Sequence, residues 1–156
     1  MTSTAQTREV AVGDQLPPFT RETGFANWNR YAAVNDEFVP IHMDDEAGQA
    51  AGYPTAFGMG NLQWSYLYNV IRNWMGEDGR LLSISCQFRG PNVKGQTVTA
   101  HGEVTAVEDV PDGRRVTLRV WTEEQNGNAL APGTAEVLLF HQASNRADVP
   151  SQRNPA

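Results

Sequence analysis

One apolar stripe limits what this chain can become. Met59, Leu62, Tyr66, Val70 and Trp74 recur at three- and four-residue spacing, and Leu67 and Ile71 widen the stripe, the period of a helix with a face to bury. The other side carries Trp64 and Tyr68 and no charge before Arg72. The sequence therefore predicts a long helix that is largely enclosed, entered through Gly58 and Gly60 and stopped near Gly76-Glu77-Asp78-Gly79.

Something has to enclose it, and the residues that follow change period from 3.6 to two. Leu82, Ile84, Cys86 and Phe88 alternate with Ser83, Ser85, Gln87 and Arg89, which predicts a strand with one face inward. Gly90-Pro91-Asn92 breaks that run, and Val98, Ala100 and Val104 begin another. Pro111-Asp112-Gly113 reads as a turn, Val116 to Val120 as a third strand, Asn126-Gly127-Asn128 as a hairpin and Ala135 to Leu139 as a fourth strand. One buried helix followed by an antiparallel meander is α+β, here a curved sheet wrapped around a long central helix.

The front of the chain is less regular. Val10, Val12 and Leu16 ahead of Pro17-Pro18 predict a short strand and then a stiff turn. Asn27 to Val34 groups Trp28, Tyr31, Ala32 and Val34 as a helix would, with Asn35 placed to end it in the left-handed conformation. Val39 precedes Pro40, so the loop beyond is predicted extended. Asp44-Asp45-Glu46 puts carboxylates in the first turn of a helix running from Met43 to Gly52.

At 156 residues with 40% hydrophobic and 19% charged side chains, the chain reads as one soluble domain, predicted over residues 8–142 with loose tails at 1–7 and 143–156. Its apolar runs are too short to span a membrane, and Met1 to Arg8 lacks a signal-peptide pattern. The lone Cys86 fits a reducing, cytoplasmic setting. A net charge of −6 argues against nucleic acid. No His/Cys/Asp spacing points to a metal, and His101 and His141, on strand patterns, read as structural. Trp64, Tyr66, Tyr68 and Trp74 read as core or as an interface between subunits.

Between the two helical stretches lies Tyr31-Ala-Ala-Val-Asn-Asp-Glu37-Phe-Val-Pro40-Ile-His42, followed by Ala50-Ala-Gly-Tyr-Pro54, Gly58-Met59 and, in the sheet, Phe88-Arg-Gly-Pro91-x-x-x-Gly95 and Gly102 to Val107. Over roughly residues 10 to 140 this resembles the MaoC-like family of (R)-specific enoyl-CoA hydratases and 3-hydroxyacyl dehydratases, which have the hotdog fold. Tyr31, Ala32, Pro40, Ile41 and His42 match the family motif. Glu37 stands five residues before the His, where the family has a catalytic Asp. Val39 replaces an Asn, Phe57 replaces the His before Gly-Met, and Gln63 stands where some hydratases have Ser.

The resemblance implies a hydro-lyase that interconverts 2-enoyl-CoA and 3-hydroxyacyl-CoA, with Glu37 and His42 catalytic and no cofactor. Such chemistry needs a base for water and an acid for the α carbon, and a carboxylate and an imidazole on one bent loop can share one water. Phe57, Gly58, Met59, Gly60 and Gln63 would line the substrate site, with amides near Gly58 and Met59 receiving enolate charge. Asp36 is the alternative acid if the loop slips by one residue. Arg89 and Lys94 are placed to meet a coenzyme A phosphate or to form a solvated edge. The implied partners are a thioester of coenzyme A or of acyl carrier protein, and a second hotdog chain in a homodimer or a heteromer. Two rival functions follow: a catalytically impaired subunit that binds acyl-CoA or pairs with an active partner, and a thioesterase. The last ranks lowest, because no Asp or Glu lies between Gly58 and Met75.

Overall fold

The computed structural model describes residues 8–141, so the predicted tails at 1–7 and 143–156, and residue 142, lie outside the described residues. Nine elements follow one another: β1 (Phe19–Glu22), α1 (Phe25–Asn35), α2 (Pro40–Met43), α3 (Asp45–Ala50), α4 (Gly60–Met75), β2 (Gly79–Cys86), β3 (Thr97–Val110), β4 (Gly113–Glu124) and β5 (Ala129–Phe140). The strands form one antiparallel sheet in the order β1-β3-β4-β5-β2. Its inner face packs on α4, the predicted helix.

Burial on α4 follows the stripe. Leu67, Val70 and Ile71 are wholly out of water, and Leu62, Tyr66 and Trp74 are buried beside them. Val104, Val116, Leu118 and Val137 meet them from the sheet. Gly76 ends the helix at φ 60°, its N–H donating to the Arg72 carbonyl, a left-handed turn that glycine adopts without Cβ strain. The helix is less enclosed than its sequence predicts. Trp64 and Tyr68 are each 38% exposed and stack with ring centroids 6.1 Å apart, so the sheet covers one side and leaves this one open. Among the described residues no helix is long and apolar enough to cross a membrane.

Several elements differ from the sequence reading, each for a local reason. The first strand lies after the prolines, not before them. Leu16 N–H and Gly13 N–H do bond to Gly102 and Val104 carbonyls, but Pro17 and Pro18 have no N–H to continue the ladder, and pairing resumes at Phe19. Helix α1 ends one residue later than expected, with Asp36 rather than Asn35 in the left-handed conformation at φ 53°. Residues after Pro40 are helical, not extended. The pre-proline restriction acts on Val39, which is extended, while proline's fixed φ suits the first helical position. Finally, β2 does not keep a simple alternation. A bulge between Leu81 and Ser83 turns Leu82 outward, 40% exposed, and Phe88 lies beyond the strand, 50% exposed.

The β4–β5 hairpin forms as predicted, and the Glu124 carboxylate holds it. Its oxygens accept from the amides of Asn126 and Asn128 and from both side-chain amides. The Asn126 amide, above the other contacts, holds this carboxyl below its usual range.

These positions make a direct test. Leu118→Ala opens a void between α4 and the sheet and is expected to lower unfolding free energy by about 2–5 kcal/mol. Leu82→Ala, on the bulge, is expected to change it by less than about 0.5 kcal/mol. Urea titration of both variants checks the contrast.

Candidate functional site

His42 is set by three turns of chain. Proline opens α2 and carries His42 to its third position, where the side chain is buried. Its Nδ1 lies 2.7 Å from the Phe57 carbonyl oxygen. A carbonyl can only accept, so Nδ1 carries a proton, and in the neutral form of the ring Nε2 is the bare lone pair. The Phe57 ring meets the imidazole edge-on at 5.2 Å, and Tyr53 packs on Phe57 at 4.4 Å. Phe57 therefore holds His42 through its backbone carbonyl, a contact that does not depend on the side chain at this position.

The Phe57 carbonyl is itself held on several sides. Phe57 N–H donates to Ile41 O at 3.3 Å, and Phe57 bridges to Val93. Ala56 N–H donates to the Asp45 carboxylate at 3.1 Å, and Ala56 O accepts from Lys94 N–H. Lys94 Nζ pairs with the other Asp45 oxygen and lies 4.7 Å from the Phe25 ring centre. The Lys94 hydrogen bond, then the Ala56 amide, holds the Asp45 carboxyl below its ordinary range. Gly58 N–H donates to Asn92 O at 2.7 Å.

Between the candidate acids the backbone discriminates. Asp36 occupies the left-handed cap and is exposed, its N–H donating to Ala32 O. Glu37 follows with its N–H on the same carbonyl at 3.0 Å, and is half-buried. Asp36 thus makes the turn, and Glu37, the less exposed of the two acids, follows it. Among the described residues no hydrogen bond joins the Glu37 carboxylate to His42, so the acid and the imidazole share a loop without direct contact.

Beside α4 opens a cleft of about 280 Å³ lined by Tyr53, Phe57, Gly58, Gly60, Gln63 and Phe88, with Arg89, Gly90 and Pro91 completing the wall. Phe57, Gly58, Gly60, Gln63 and Arg89 from the sequence reading come together here. Met59 lies at the helix entry, buried. A Cβ on Gly58 would sit 2.7 Å from Nε1 of the buried Trp28, and one on Gly60 would sit 2.8 Å from the Phe88 ring, which is half exposed and would have to swing aside. Gln63 is buried with both ends occupied, donating to Gly90 O at 3.3 Å and accepting from Thr122 Oγ1 at 2.7 Å. Arg89 donates to Gln87 Oε1.

Two expectations change on this geometry. The Gly58 amide is spent on Asn92, so it is not available to an oxyanion. Among the described residues none accepts from the amides of Met59 or Gly60, at the front of α4 where the helix dipole is positive. Lys94 is committed to Asp45 and Phe25 and is not among the residues lining the cleft with Arg89. Asn92, Asp45, Trp28 and Thr122 take part in the site's framework and escape sequence reading. Asn92 is marked only as part of the Gly-Pro-Asn break, Asp45 only as a first-turn carboxylate, Trp28 only as a helix residue and Thr122 not at all. Among the described residues no group of three His, Cys, Asp or Glu side chains converges as a metal-ligand set.

The sequence model of the MaoC-like domain matches residues 6–126, so the chain belongs to the MaoC-like dehydratase family. It is 29% identical over 137 residues to the (R)-specific enoyl-CoA hydratase of Aeromonas caviae, covering 86% of this chain and 98% of that one. The solved (R)-hydratase from A. caviae, involved in PHA biosynthesis, superposes with a TM-score of 0.77 at 26% identity over 85% of this chain and 98% of that one. The R-hydratase PhaJ1 of Pseudomonas aeruginosa gives 0.76 at 20% identity over 94% of each, and the ChsH1-ChsH2 complex of Mycobacterium tuberculosis 0.74 at 24% over 84% and 99%. These last two speak for the fold alone. It is the hotdog fold.

The Asp45 anchor has a pH signature. Its folded-state pKa is lowered, so its contribution is complete above the unfolded carboxylate value of 3.8 and is lost as pH falls through the lower, folded value. The stability gap between wild type and Asp45→Asn is expected to be full near neutrality and to close in strong acid. Thermal unfolding measured across that range checks it.

Proposed function

We propose that this member of the MaoC-like family catalyses the reversible addition of water to a 2-enoyl-CoA, giving a 3-hydroxyacyl-CoA. The observation that carries the reading is the fixed tautomer of His42, whose Nδ1 proton is engaged by the Phe57 carbonyl and whose Nε2 is left to act as a base.

In the hydration direction, Glu37 and His42 together hold one water over carbon 3. A proton leaves that water for this pair as the oxygen bonds to carbon 3. The π electrons move onto the thioester, whose oxygen gains the charge of an enolate. A proton then passes from the pair to the α carbon, restoring the thioester. The free amides of Met59 and Gly60 at the head of α4 are the donors for that oxygen in this proposal. Arg89, exposed at the cleft mouth, is the cation for the phosphates of the carrier. A second hotdog chain, identical or different, packing over the exposed Phe38, Val39 and Tyr53 would complete the cleft.

Two observations favour a second reading, in which the chain is an impaired subunit that binds acyl-CoA or pairs with an active hotdog partner. Glu37 and His42 have no direct hydrogen bond, and Val39 supplies no polar group to the loop.

Loss of the conjugated absorbance of crotonyl-CoA, and of longer and bulkier enoyl-CoAs, tests the two. The lyase reading expects turnover, reduced roughly 10²–10⁴-fold in His42→Ala and Glu37→Gln. Inactivity toward every acyl chain on either carrier, with binding retained, would select the impaired subunit.

A further inference from the structure

We propose that Asp45, held by Lys94, is a positioning residue for His42, one that fixes which imidazole nitrogen carries the proton. The inference rests on the reading of His42 as the catalytic base and names the part of the chain that keeps it in that form.

The imidazole has no carboxylate on Nδ1. What it has is one backbone carbonyl, Phe57 O, at 2.7 Å. A backbone carbonyl orients a ring only as well as its own peptide is held. The peptide that carries Phe57 O ends in the Gly58 N–H, which donates to Asn92 O at 2.7 Å, and it lies in a loop between α3 and α4, in no helix and in one isolated bridge. Immediately before it, Ala56 is fully buried and its N–H is given to Asp45 Oδ1 at 3.1 Å. The other oxygen of that carboxylate meets Lys94 Nζ, while Lys94 N–H bonds back to Ala56 O at 3.2 Å. Asp45 and Lys94 therefore close a ring of contacts around Ala56 from both sides, one on α3 and one beside the bridge at Val93.

Three features separate this from an ordinary surface ion pair. The carboxylate is bidentate between a backbone amide and an ammonium. Its ammonium is kept in place by the Phe25 ring, 4.7 Å away. The amide it receives belongs to the residue next to the one whose carbonyl holds the imidazole. Without this anchor the Phe57 carbonyl is held from the Gly58 side alone, and the second neutral tautomer of His42 gains population.

The test needs no substrate. Nitrogen-15 spectra of the full chain with labelled histidine, recorded where His42 is neutral, distinguish a protonated Nδ1 from a protonated Nε2. Wild type is expected to show the Nδ1-protonated form. Asp45→Ala is expected to show a mixture. Asp45→Asn, which keeps an oxygen for the Ala56 amide, is expected to recover most of the wild-type signature. Lys94→Met is expected to move it in the same direction as Asp45→Ala, by less. In turnover, Asp45→Ala is expected to lose roughly tenfold in kcat with KM little changed, because a displaced base slows chemistry more than binding. A folded Asp45→Ala protein with the wild-type nitrogen signature would overturn the proposal. Where that variant does not fold, an unchanged signature in Lys94→Met overturns it. A tautomer shift in a protein without hydratase activity would leave this inference standing and remove the lyase reading instead.

Discussion

A sixteen-residue helix with Leu67, Val70 and Ile71 wholly out of water is stable only where another layer supplies its apolar surroundings. Four of the five strands of the sheet follow it in the chain and do this. Burial at roughly 25 cal/mol per Å² of apolar surface makes that contact the dominant favourable term. The candidate cleft opens beside the front end of this helix, with Gly58, Gly60 and Gln63 in its wall and the amides of Met59 and Gly60 unclaimed among the described residues.

The loop chemistry depends on backbone more than on side chains. His42 is oriented by a carbonyl, Glu37 follows directly on the left-handed turn at Asp36, and the amide of Gly58 is tied to Asn92. This explains how the chain departs from its family at positions 37, 39 and 57 and still assembles the frame. Phe57 contributes its main chain to His42 and its ring to a small aromatic stack with Tyr53. Glu37 carries one more methylene than the aspartate of the family, and the reach of that longer side chain decides whether a shared water is held.

Much of this was legible in the sequence. The stripe from Met59 to Trp74 gave the central helix, because burial imposes its period on one face of a long element. The hairpin turns at Pro111-Asp112 and Asn126-Gly127 were equally plain, since turn geometry selects residue types. The misreadings share a cause: they sit where one residue's local preference meets a long-range partner. Leu82 belongs to an alternating run, yet the bulge opposite β5 sends it outward. Pro17 and Pro18 move the first strand because they offer no N–H to the carbonyls of β3, which is distant in sequence. In the site, Pro-Ile-His was visible as a motif, whereas Asp45, Asn92, Trp28 and Thr122 were not. Their roles are contacts across 11 to 69 residues of chain, and no local spacing encodes such pairs.

The account turns on whether two side chains from one bent loop converge on a single reacting position. A crystal structure of the protein with an unreactive enoyl-thioester analogue measures this most directly. It should place His42 Nε2 and a Glu37 carboxylate oxygen each within about 3.2 Å of one water above carbon 3, with the thioester oxygen against the Met59 and Gly60 amides. An analogue bound with Glu37 turned to solvent, and no water shared with His42, would contradict it.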